Sequence, residues 1–355
     1  VNGIPTSGND NSEGGMGKGG SQMMAYPTLF FDYDKDDQRR DVSVCNYGIV
    51  LSAKGNKYQM NTYNGMGVGK YRINWKKEMG ATNSKRNINF PLLRYADVLL
   101  MYAEALNEVN NGPTQEAINA VKEVRKRAFR GNEAKAAAGI PTNHDDFLTF
   151  IQKERKLELS NEGLRRTDLT RWGKQYEMLM AAKQRLIDLA KRDGEFANVP
   201  VYRAYYLSTT PKFEDPTIAL SYIDLSQAEV ENLGLKADQI SGLKVLNSSS
   251  AGKGSVTADL YEKDGKLYSE ANKPEGAVKH TYTILNMFSI VSIKQKGNLC
   301  VEDVTGVSSN NTWITGNSGV FYGLQKNMTE LMPFNTSKIL DVNAGLEGQQ
   351  HPAYK

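Results

Sequence analysis

The sequence predicts a mainly α protein, a helical-repeat scaffold with irregular loops and small β elements. Three observations support this prediction: a long helical periodicity beginning at Leu92, a second amphipathic helix soon after it, and short apolar runs elsewhere that Gly, Asn and Asp separate. The chain has 355 residues, of which 39% are hydrophobic and 24% charged, so its composition is that of a folded globular protein.

Composition and charge exclude several classes of function. The 44 lysines and arginines and 40 aspartates and glutamates leave a formal charge of +4, too small a surplus to predict nucleic-acid binding. No run of 18 apolar residues is present, so no transmembrane helix is predicted. Cys45 and Cys300 are too few for a disulfide framework or a zinc site, and whether they pair stays open. The three histidines are scattered, so we expect no metal ion and no cofactor.

Residues 1–25 are predicted to form a flexible loop, because glycine-rich polar sequence buries too little surface to offset its ordering entropy. The chain starts at Val1 rather than methionine, so we expect it to be a piece of a longer polypeptide. From residue 26 to residue 77, brief strands and hairpins are expected. They are placed at Leu29–Phe31, Val42–Val50 and Tyr71–Trp75.

The helical periodicity is clearest from Leu92 to Glu108. Its apolar positions at three-four spacing are Leu92, Tyr95, Ala96, Leu99, Tyr102, Ala103 and Leu106. Val98, Met101 and Ala105 add a second apolar side, and a helix that is apolar on two sides is expected to pack between neighbours. Asn111-Gly112-Pro113 ends this helix. The next helix places Ala117, Val121, Val124 and Ala128 on one face, and the two together form a tetratricopeptide-like pair.

Two more helices follow. Asn143 is expected to cap a third helix from Asp145 to Asn161, and a fourth is predicted from Thr167 to Lys191. Residues 26–193 are therefore predicted to form one core of tetratricopeptide-like helix pairs. Residues 194–330 are predicted to be loop-rich, and residues 331–355 to form an extended tail because their prolines forbid regular helix.

Three stretches resemble one protein family in their order and intervals. They are FPLLRYADVLLMYAEALNEV (Phe90–Val109), AINAVKEVRKRA (Ala117–Ala128) and IQKERKLELSNEGLRRTDLTRWG (Ile151–Gly173). Together they resemble the C-terminal half of the SusD/RagB family of bacterial outer-membrane nutrient-binding lipoproteins. The ending LMPFNTSKILDVNAGLEGQQHPAY is similar to that family's closing pattern, with His351 in place of asparagine and Ala353 in place of glycine.

The resemblance implies a SusD-like αα-superhelix, with residues 194–330 as a lineage-specific insertion packed on the same domain. It further implies a cell-surface protein, held on the outer membrane by an N-terminal lipid anchor that is absent from this chain. Such a protein captures oligosaccharide or polysaccharide and delivers it to a SusC-like TonB-dependent transporter. A peptide-binding RagB-like member and a generic helical-repeat scaffold for protein partners are the alternatives, and an enzyme is not expected.

The predicted helices carry many charged residues. They are Arg94, Asp97, Glu104, Glu154, Arg155, Glu158, Glu162, Arg165, Arg166, Asp168 and Arg171. One interpretation makes two of the carboxylates the acid and base of a glycoside hydrolase. The other is a structural network, in which Glu154 and Glu158 pair with Arg155 or Arg165. We favour the network, because bidentate arginine–carboxylate pairs suit helix-to-helix contacts. No catalytic residue is therefore predicted.

Aromatic residues in loops are the candidates for ligand binding. Sugar rings pack on exposed aromatic side chains, and polar neighbours bond their hydroxyl groups. The predicted ligand-binding residues are Tyr58, Tyr63, Tyr71, Arg72, Asn74 and Trp75, with Trp313 from a second loop. The alternative for each tyrosine is that it closes a small strand core. We expect at least one member of the group to contact ligand.

Overall fold

The computed structural model describes residues 6–9, 25–52, 57–70, 90–206, 222–244, 254–288, 321 and 323–326. Over these residues helices predominate and three small sheets accompany them, which confirms the predicted mainly α fold. The tetratricopeptide-like pairing remains a prediction. The chain divides into two compact units, and the four predicted segments remain a prediction. One unit is Val1–Gly163 with Asn198–Ser292, and the other is Leu164–Ala197 with Ile293–Lys355.

Ten helices and ten strands lie in the described residues. The helices are α1 (Pro27–Asp32), α2 (Arg39–Ser43), α3 (Tyr95–Val109), α4 (Gln115–Ala128), α5 (Glu133–Ala137), α6 (His144–Glu158), α7 (Arg165–Arg171), α8 (Gln175–Lys191), α9 (Gln227–Glu231) and α10 (Ala237–Lys244). The strands are β1 (Thr6–Asn9), β2 (Val44–Cys45), β3 (Tyr47–Ser52), β4 (Lys57–Met60), β5 (Gly67–Val68), β6 (Tyr202–Tyr205), β7 (Tyr222–Leu225), β8 (Ser255–Lys263), β9 (Lys266–Tyr268) and β10 (Val278–Asn286).

Helices α3, α4 and α6 form the helical core of the first unit. The four residues predicted to share one face of α4 are all buried there, which confirms that face. The hydroxyl oxygen of Thr114 caps α4 by accepting from the Ala117 amide. The Asn143 side chain accepts from the Asp146 amide at 3.0 Å, as predicted for the start of α6.

Helix α3 buries part of the face that its apolar residues predict, since Ala96 and Ala103 are buried and Leu99 and Leu106 pack against the same cluster. Its interior positions are Ala96, Asp97, Leu100, Ala103, Glu104 and Asn107, whereas Tyr95, Val98, Met101 and Tyr102 are exposed. The prediction was wrong for Tyr95 and Tyr102, because small residues let α3 approach α4 closely and Asp97 is directed inward to Arg155.

The predicted fourth helix is two helices. Helix α7 ends after Arg171 and α8 begins at Gln175, because Gly173 adopts a left-handed conformation with φ of 65°. The Lys174 amide then donates to the Leu169 carbonyl, which closes the end of α7. A side chain at Gly173 would be strained, so this glycine determines the break.

Two of the three predicted N-terminal runs lie in the described residues. Leu29–Phe31 is helical rather than a strand, because Pro27 sets the first turn of α1 and Phe30 is buried. Val42–Val50 contains the predicted strands β2 and β3. Strand β3 lies between β1 and β4 in one sheet, and β2 pairs with β5 in another. The run at Tyr71–Trp75 lies outside the described residues.

The segment predicted to be loop-rich contains a five-stranded antiparallel sheet. Its strand order is β7-β6-β10-β8-β9, and β8 pairs with β10 over most of the length of both strands. Helices α9 and α10 contribute Val230 and Leu243 to the core beside this sheet, where Tyr282 and Ile284 are also buried. The prediction of loops was wrong because the strands mix polar and apolar residues without a strict alternation.

Candidate functional site

Two of the carboxylates singled out from the sequence, Glu154 and Glu158, lie in a buried ionic network centred on α6. Arg39, at the start of α2, donates from Nη1 to Glu154 at 2.6 Å and to Glu158 at 3.2 Å. Its Nη2 and Nε atoms bond the two carboxylate oxygens of Asp37 at 2.6 and 3.0 Å. All four side chains are nearly inaccessible to solvent. One guanidinium therefore bonds three carboxylates at once.

A second part of the network connects α6 with the residues that precede α3. Arg94 forms a bidentate pair with Glu162, with both distances at 2.8 Å, and also donates to Glu158 at 3.0 Å. Lys70 donates to Glu162 at 2.5 Å and to the Glu158 carbonyl at 2.7 Å. Such charge-assisted contacts fix the relative positions of the segments that carry them.

The arrangement is that of the structural network, but several partners differ from the predicted ones. Glu154 contacts Arg39 and Arg125, whereas Arg155 donates to Asp97 at 2.7 Å. The partners missed from the sequence are Arg39, Lys70, Arg125 and Arg127. The sequence did indicate that such partners exist. Acidic residues on the buried faces of helices require cations from other segments of the chain.

The network makes the free energy of unfolding depend on pH. Burial raises the pKa of the Glu158 carboxyl, but the hydrogen bond from Arg127 and the charges of Arg127, Arg39 and Arg94 outweigh it, so the pKa lies below its ordinary value. Glu158 therefore stabilises the fold at pH values above about 4.5, the pKa of this carboxyl in the unfolded chain. As the pH falls further, through the lower pKa of the folded state, the carboxyl is protonated and this stabilisation is lost.

We therefore expect the free energy of unfolding to fall as pH drops below about 4.5, and less steeply in Glu158→Gln than in the wild type. The variant is expected to be less stable than the wild type at neutral pH. Urea unfolding at a series of pH values measures both effects. Parallel stability profiles for the two proteins would contradict this assignment.

Two of the predicted ligand-binding tyrosines lie in the interior. Tyr63 is fully buried between Phe31 and Phe288, and its hydroxyl donates to the Pro200 carbonyl at 3.1 Å. Tyr58 packs against Tyr47 in a cluster with β3 and β4, and burial raises its pKa to about 12. Tyr58 therefore lies in a small strand core and Tyr63 packs among other aromatic residues, so both rings are buried.

The other predicted binding residues lie outside the described residues. They are Tyr71, Arg72, Asn74, Trp75 and Trp313. The structure brings none of them together with Tyr58 or Tyr63 in a described site, and their role in binding stays a prediction.

A surface cavity of 410 Å³ lies beside the ionic network, where α4, α5 and α6 meet the segment that follows α1. Its apolar lining includes Phe129 and Phe150, and its polar lining includes Asp34, Lys135 and Lys153. The volume is within the roughly 300–1,000 Å³ typical of small-molecule sites. No pattern within one stretch of the sequence indicates this cavity, because its lining residues come from four separate segments.

Arg125 forms one wall of the cavity. Its guanidinium carbon lies 5.2 Å from the centroid of the Phe129 ring and 5.1 Å from that of Phe150. Its N–H groups donate to the carbonyls of Lys135, Ala136 and Ala138 at the end of α5. Because these groups are occupied, Arg125 shapes the cavity and has little capacity left for a ligand.

Two charged groups of the cavity retain hydrogen-bonding capacity. Lys153 is exposed and forms no ion pair with any residue that the structure describes. Asp34 accepts from the Asp36 amide at 2.8 Å, and the Lys135 ammonium lies 3.9 Å from it. An ammonium and a carboxylate above aromatic side chains suit a polar ligand rich in hydroxyl groups.

The described residues contain neither a cluster suited to a metal ion nor a helix suited to a membrane. Within the ranges given above, no three or more His, Cys, Asp or Glu side chains are arranged to hold a metal ion. In the same ranges, no helix is both long enough and apolar enough to cross a lipid bilayer.

These features define a helical scaffold protein with a paired internal ionic network and a polar surface cavity. A model of the SusD family matches residues 8–238, which is more than half of the chain. The chain therefore belongs to the SusD family. The match extends beyond Gly173, where the last of the three resembling stretches ends.

Individual relatives are similar over shorter stretches. SusD-like protein P2 of Formosa agariphila is 31% identical over 162 residues, which are 44% of this chain and 32% of the relative. SusD-like protein P25 of the same organism is 43% identical over 82 residues, 23% of this chain and 15% of the relative. The matches thus span about a third or less of the relatives' own length.

Two solved structures were also matched. A SusD homolog from Bacteroides thetaiotaomicron is 30% identical, with a TM-score of 0.44, over 52% of this chain and 38% of that one. Surface glycan-binding protein A from Bacteroides fluxus is 26% identical, with a TM-score of 0.33, over 48% of this chain and 34% of that one.

Proposed function

We propose that this protein binds glycans as nutrients, without transforming them. The observation that carries the proposal is the SusD family match over residues 8–238. The arrangement of charges supports it. The acidic residues that a glycoside hydrolase would need are held by Arg39, Arg94 and Arg125 in the interior, where a substrate does not reach them.

The proposed place of action is the outer face of the outer membrane. A lipid anchor would hold it there, beside a SusC-like TonB-dependent transporter. The protein would take oligosaccharide or polysaccharide from solution and release it to that transporter. Membership of the SusD family supports this proposal.

Two parts of the chain are the proposed contacts for sugar. One is the aromatic segment that includes Trp75, with Trp313 as a further candidate. The other is the cavity, where Asp34 and Lys153 would bond hydroxyl groups of one sugar unit above Phe150. Each contact is small, so we expect weak binding at each site and stronger binding of longer glycans that reach both.

Calorimetric titration with a panel of polysaccharides and a mixture of peptides tests the proposal. Heat is expected with at least one glycan, and Trp75→Ala is expected to abolish most of it. Lys153→Ala is expected to weaken binding of the same glycan about tenfold, because a hydrogen bond to a charged group is worth about 1.5–3 kcal/mol. Lys236→Ala, which removes an exposed lysine after α9, is the matched control and is expected to bind as the wild type does.

The other outcomes separate the alternatives. Heat with peptides alone would select a peptide-binding RagB-like function. Retained glycan binding in Lys153→Ala together with loss in Trp75→Ala would place the sugar at the aromatic segment and remove the cavity from the proposal. Measurable turnover of a polysaccharide by the pure protein would contradict a function of binding alone.

A further inference from the structure

One face of the five-stranded sheet is covered over only part of its width. The other face packs beside α9 and α10 through Leu260, Leu267 and Tyr282. Because side chains alternate along a strand, the chain neighbours of these three residues point to the opposite face. On that face β6 is covered, since Tyr205 belongs to the cluster of β3 and β4. The exposed residues of β8 and β10 there are Thr257, Asp259, Lys279 and Thr281.

Polar residues and two tyrosines make up this uncovered part of the sheet, which we call the open face. Its members are Thr257, Asp259, Tyr261, Lys263, Lys266, Tyr268, Lys279 and Thr281. Tyr261 and Tyr268 lie directly opposite each other on β8 and β9. A polar surface of this kind differs from the apolar centre of a protein–protein interface, but aromatic rings among hydroxyl groups suit a sugar.

The two tyrosines are held differently. The Tyr261 hydroxyl donates to Glu270, and the Lys273 ammonium lies 4.4 Å from the centroid of the Tyr261 ring. Lys273 also forms an ion pair with Glu270. Tyr261 is therefore fixed in position, whereas the partly exposed Tyr268 beside it has a ring that can pack on a ligand.

Two opposed lysines give the open face its charge. Lys263 and Lys266 pair across β8 and β9, on either side of the turn Asp264-Gly265. Like charges directly opposite each other destabilise a pair of strands. The Lys263 ammonium donates to the Glu275 carbonyl at 2.9 Å, which satisfies a hydrogen bond without adding a negative charge. Neither lysine forms an ion pair within the part of the chain that the structure describes.

The nearby carboxylates are engaged elsewhere. Asp259 pairs with Lys279 at 3.2 Å and accepts from the Thr281 hydroxyl at 2.7 Å. Glu262 points to the covered face and accepts from the Gly265 amide at 3.0 Å. The two ammonium groups at the end of the hairpin are therefore available to an anionic ligand.

We propose that the open face binds an acidic polysaccharide, with uronate or sulfate groups on Lys263 and Lys266 and a sugar ring on Tyr268. Charge complementarity argues for this occupant. An anionic group between two opposed ammonium groups removes their repulsion and forms charge-assisted hydrogen bonds with both. The inference rests on the proposed binding of glycans, and it adds the class of glycan and a site formed by residues other than Trp75 and the cavity.

A matched pair of polymers tests the charge requirement. Dextran sulfate carries anionic groups on the same backbone as neutral dextran, and polygalacturonate represents the uronates. Calorimetric titration is expected to show binding of an acidic polymer at low salt, and about tenfold weaker binding or none with dextran. Binding of the acidic polymer is expected to disappear in about 1 M sodium chloride, where charges are screened beyond roughly 3 Å. If neither acidic polymer binds at low salt, the inference is overturned.

Variants of the open face test its location. Lys263→Gln with Lys266→Gln is expected to weaken binding of the acidic polymer about tenfold or more, since it removes two charge-assisted contacts. Tyr268→Ala is expected to weaken it about fivefold. Lys191→Gln with Lys236→Gln removes the same charge at two exposed lysines elsewhere and is expected to bind as the wild type does.

Thermal unfolding separates lost binding from misfolding. Lys263→Gln with Lys266→Gln is expected to unfold at or above the wild-type temperature, because the substitution removes the repulsion between opposed lysines. Unchanged binding in this variant would overturn the inference. Equal weakening in the control pair would do so too, because it would show attraction by the total charge of the chain.

The remaining outcomes distinguish this inference from the proposed function. Binding of neutral glycans without binding of either acidic polymer would overturn the inference and leave the proposed function in place. Binding of no glycan at all would overturn both. Polyglutamate and duplex DNA are the further probes, and tighter binding of either than of the acidic polysaccharides would identify another acidic partner and overturn the inference.

Discussion

Arg39→Met is expected to lower the free energy of unfolding by about 3–5 kcal/mol, the usual cost of removing one partner from a buried ionic cluster. The guanidinium of Arg39 bonds Asp37, Glu154 and Glu158 at once. Glu154 would keep Arg125, and Glu158 would keep Arg94 and Arg127. Asp37 would keep only the amide of residue 39 among the described residues and would remain as a buried, uncompensated charge.

Urea unfolding of a small set of variants measures this effect and its cause. The double variant Arg39→Met with Asp37→Asn is expected to be more stable than Arg39→Met alone, because it removes the charge that the single change leaves behind. Lys126→Ala removes a lysine that forms an ion pair with Glu133 on the surface, and no measurable loss is expected from it. If Arg39→Met were as stable as the wild type, the network would not hold the fold together.

Phe147→Ala is expected to cost about 3–5 kcal/mol of the free energy of unfolding, as is typical for a phenylalanine removed from a core. Phe147 lies on α6, is fully buried, and belongs to the cluster that joins α6 with Leu100 of α3 and Val121 of α4. The cavity left by the ring would lie where the three helices meet, so the surroundings cannot collapse into it without moving a helix.

The same urea unfolding measurement tests this expectation, with Phe147→Leu as the control. Leucine fills most of the space, so its cost is expected to stay below about 1.5 kcal/mol. Equal losses in the two variants would show that the ring's shape, rather than the cavity, carries the stability. No loss in Phe147→Ala would contradict the placement of α6 against α3 and α4.

Local chemistry explains which elements the sequence predicted well. Asn143 caps α6, and four small or branched residues form one face of α4, because caps and helical periodicity act within a few residues of one another. The motifs of α3, α4 and α6 were also sufficient to predict the family, which the match over residues 8–238 confirmed.

The predictions that failed concern contacts between distant segments. Periodicity assigned the apolar side of α3 to the interior, but Asp97 is inside because Arg155 of α6, 58 residues away, neutralises it. Arg39 reaches Glu154 across 115 residues, and no pattern within one helix specifies such a partner. Tyr63 was likewise predicted to contact ligand, but its ring packs against Phe288 and its hydroxyl donates to the Pro200 carbonyl.

The sequence by itself determined α3, α4 and α6, the cap of α6, the mainly α class and the family, because these depend on spacing within single segments. Only the tertiary structure decided which face of α3 is buried, which cation pairs with each carboxylate, and where a cavity opens beside α6. The physical reason is that a buried charge is stable only when a partner from another part of the chain lies within hydrogen-bonding distance, and chain order does not specify that distance.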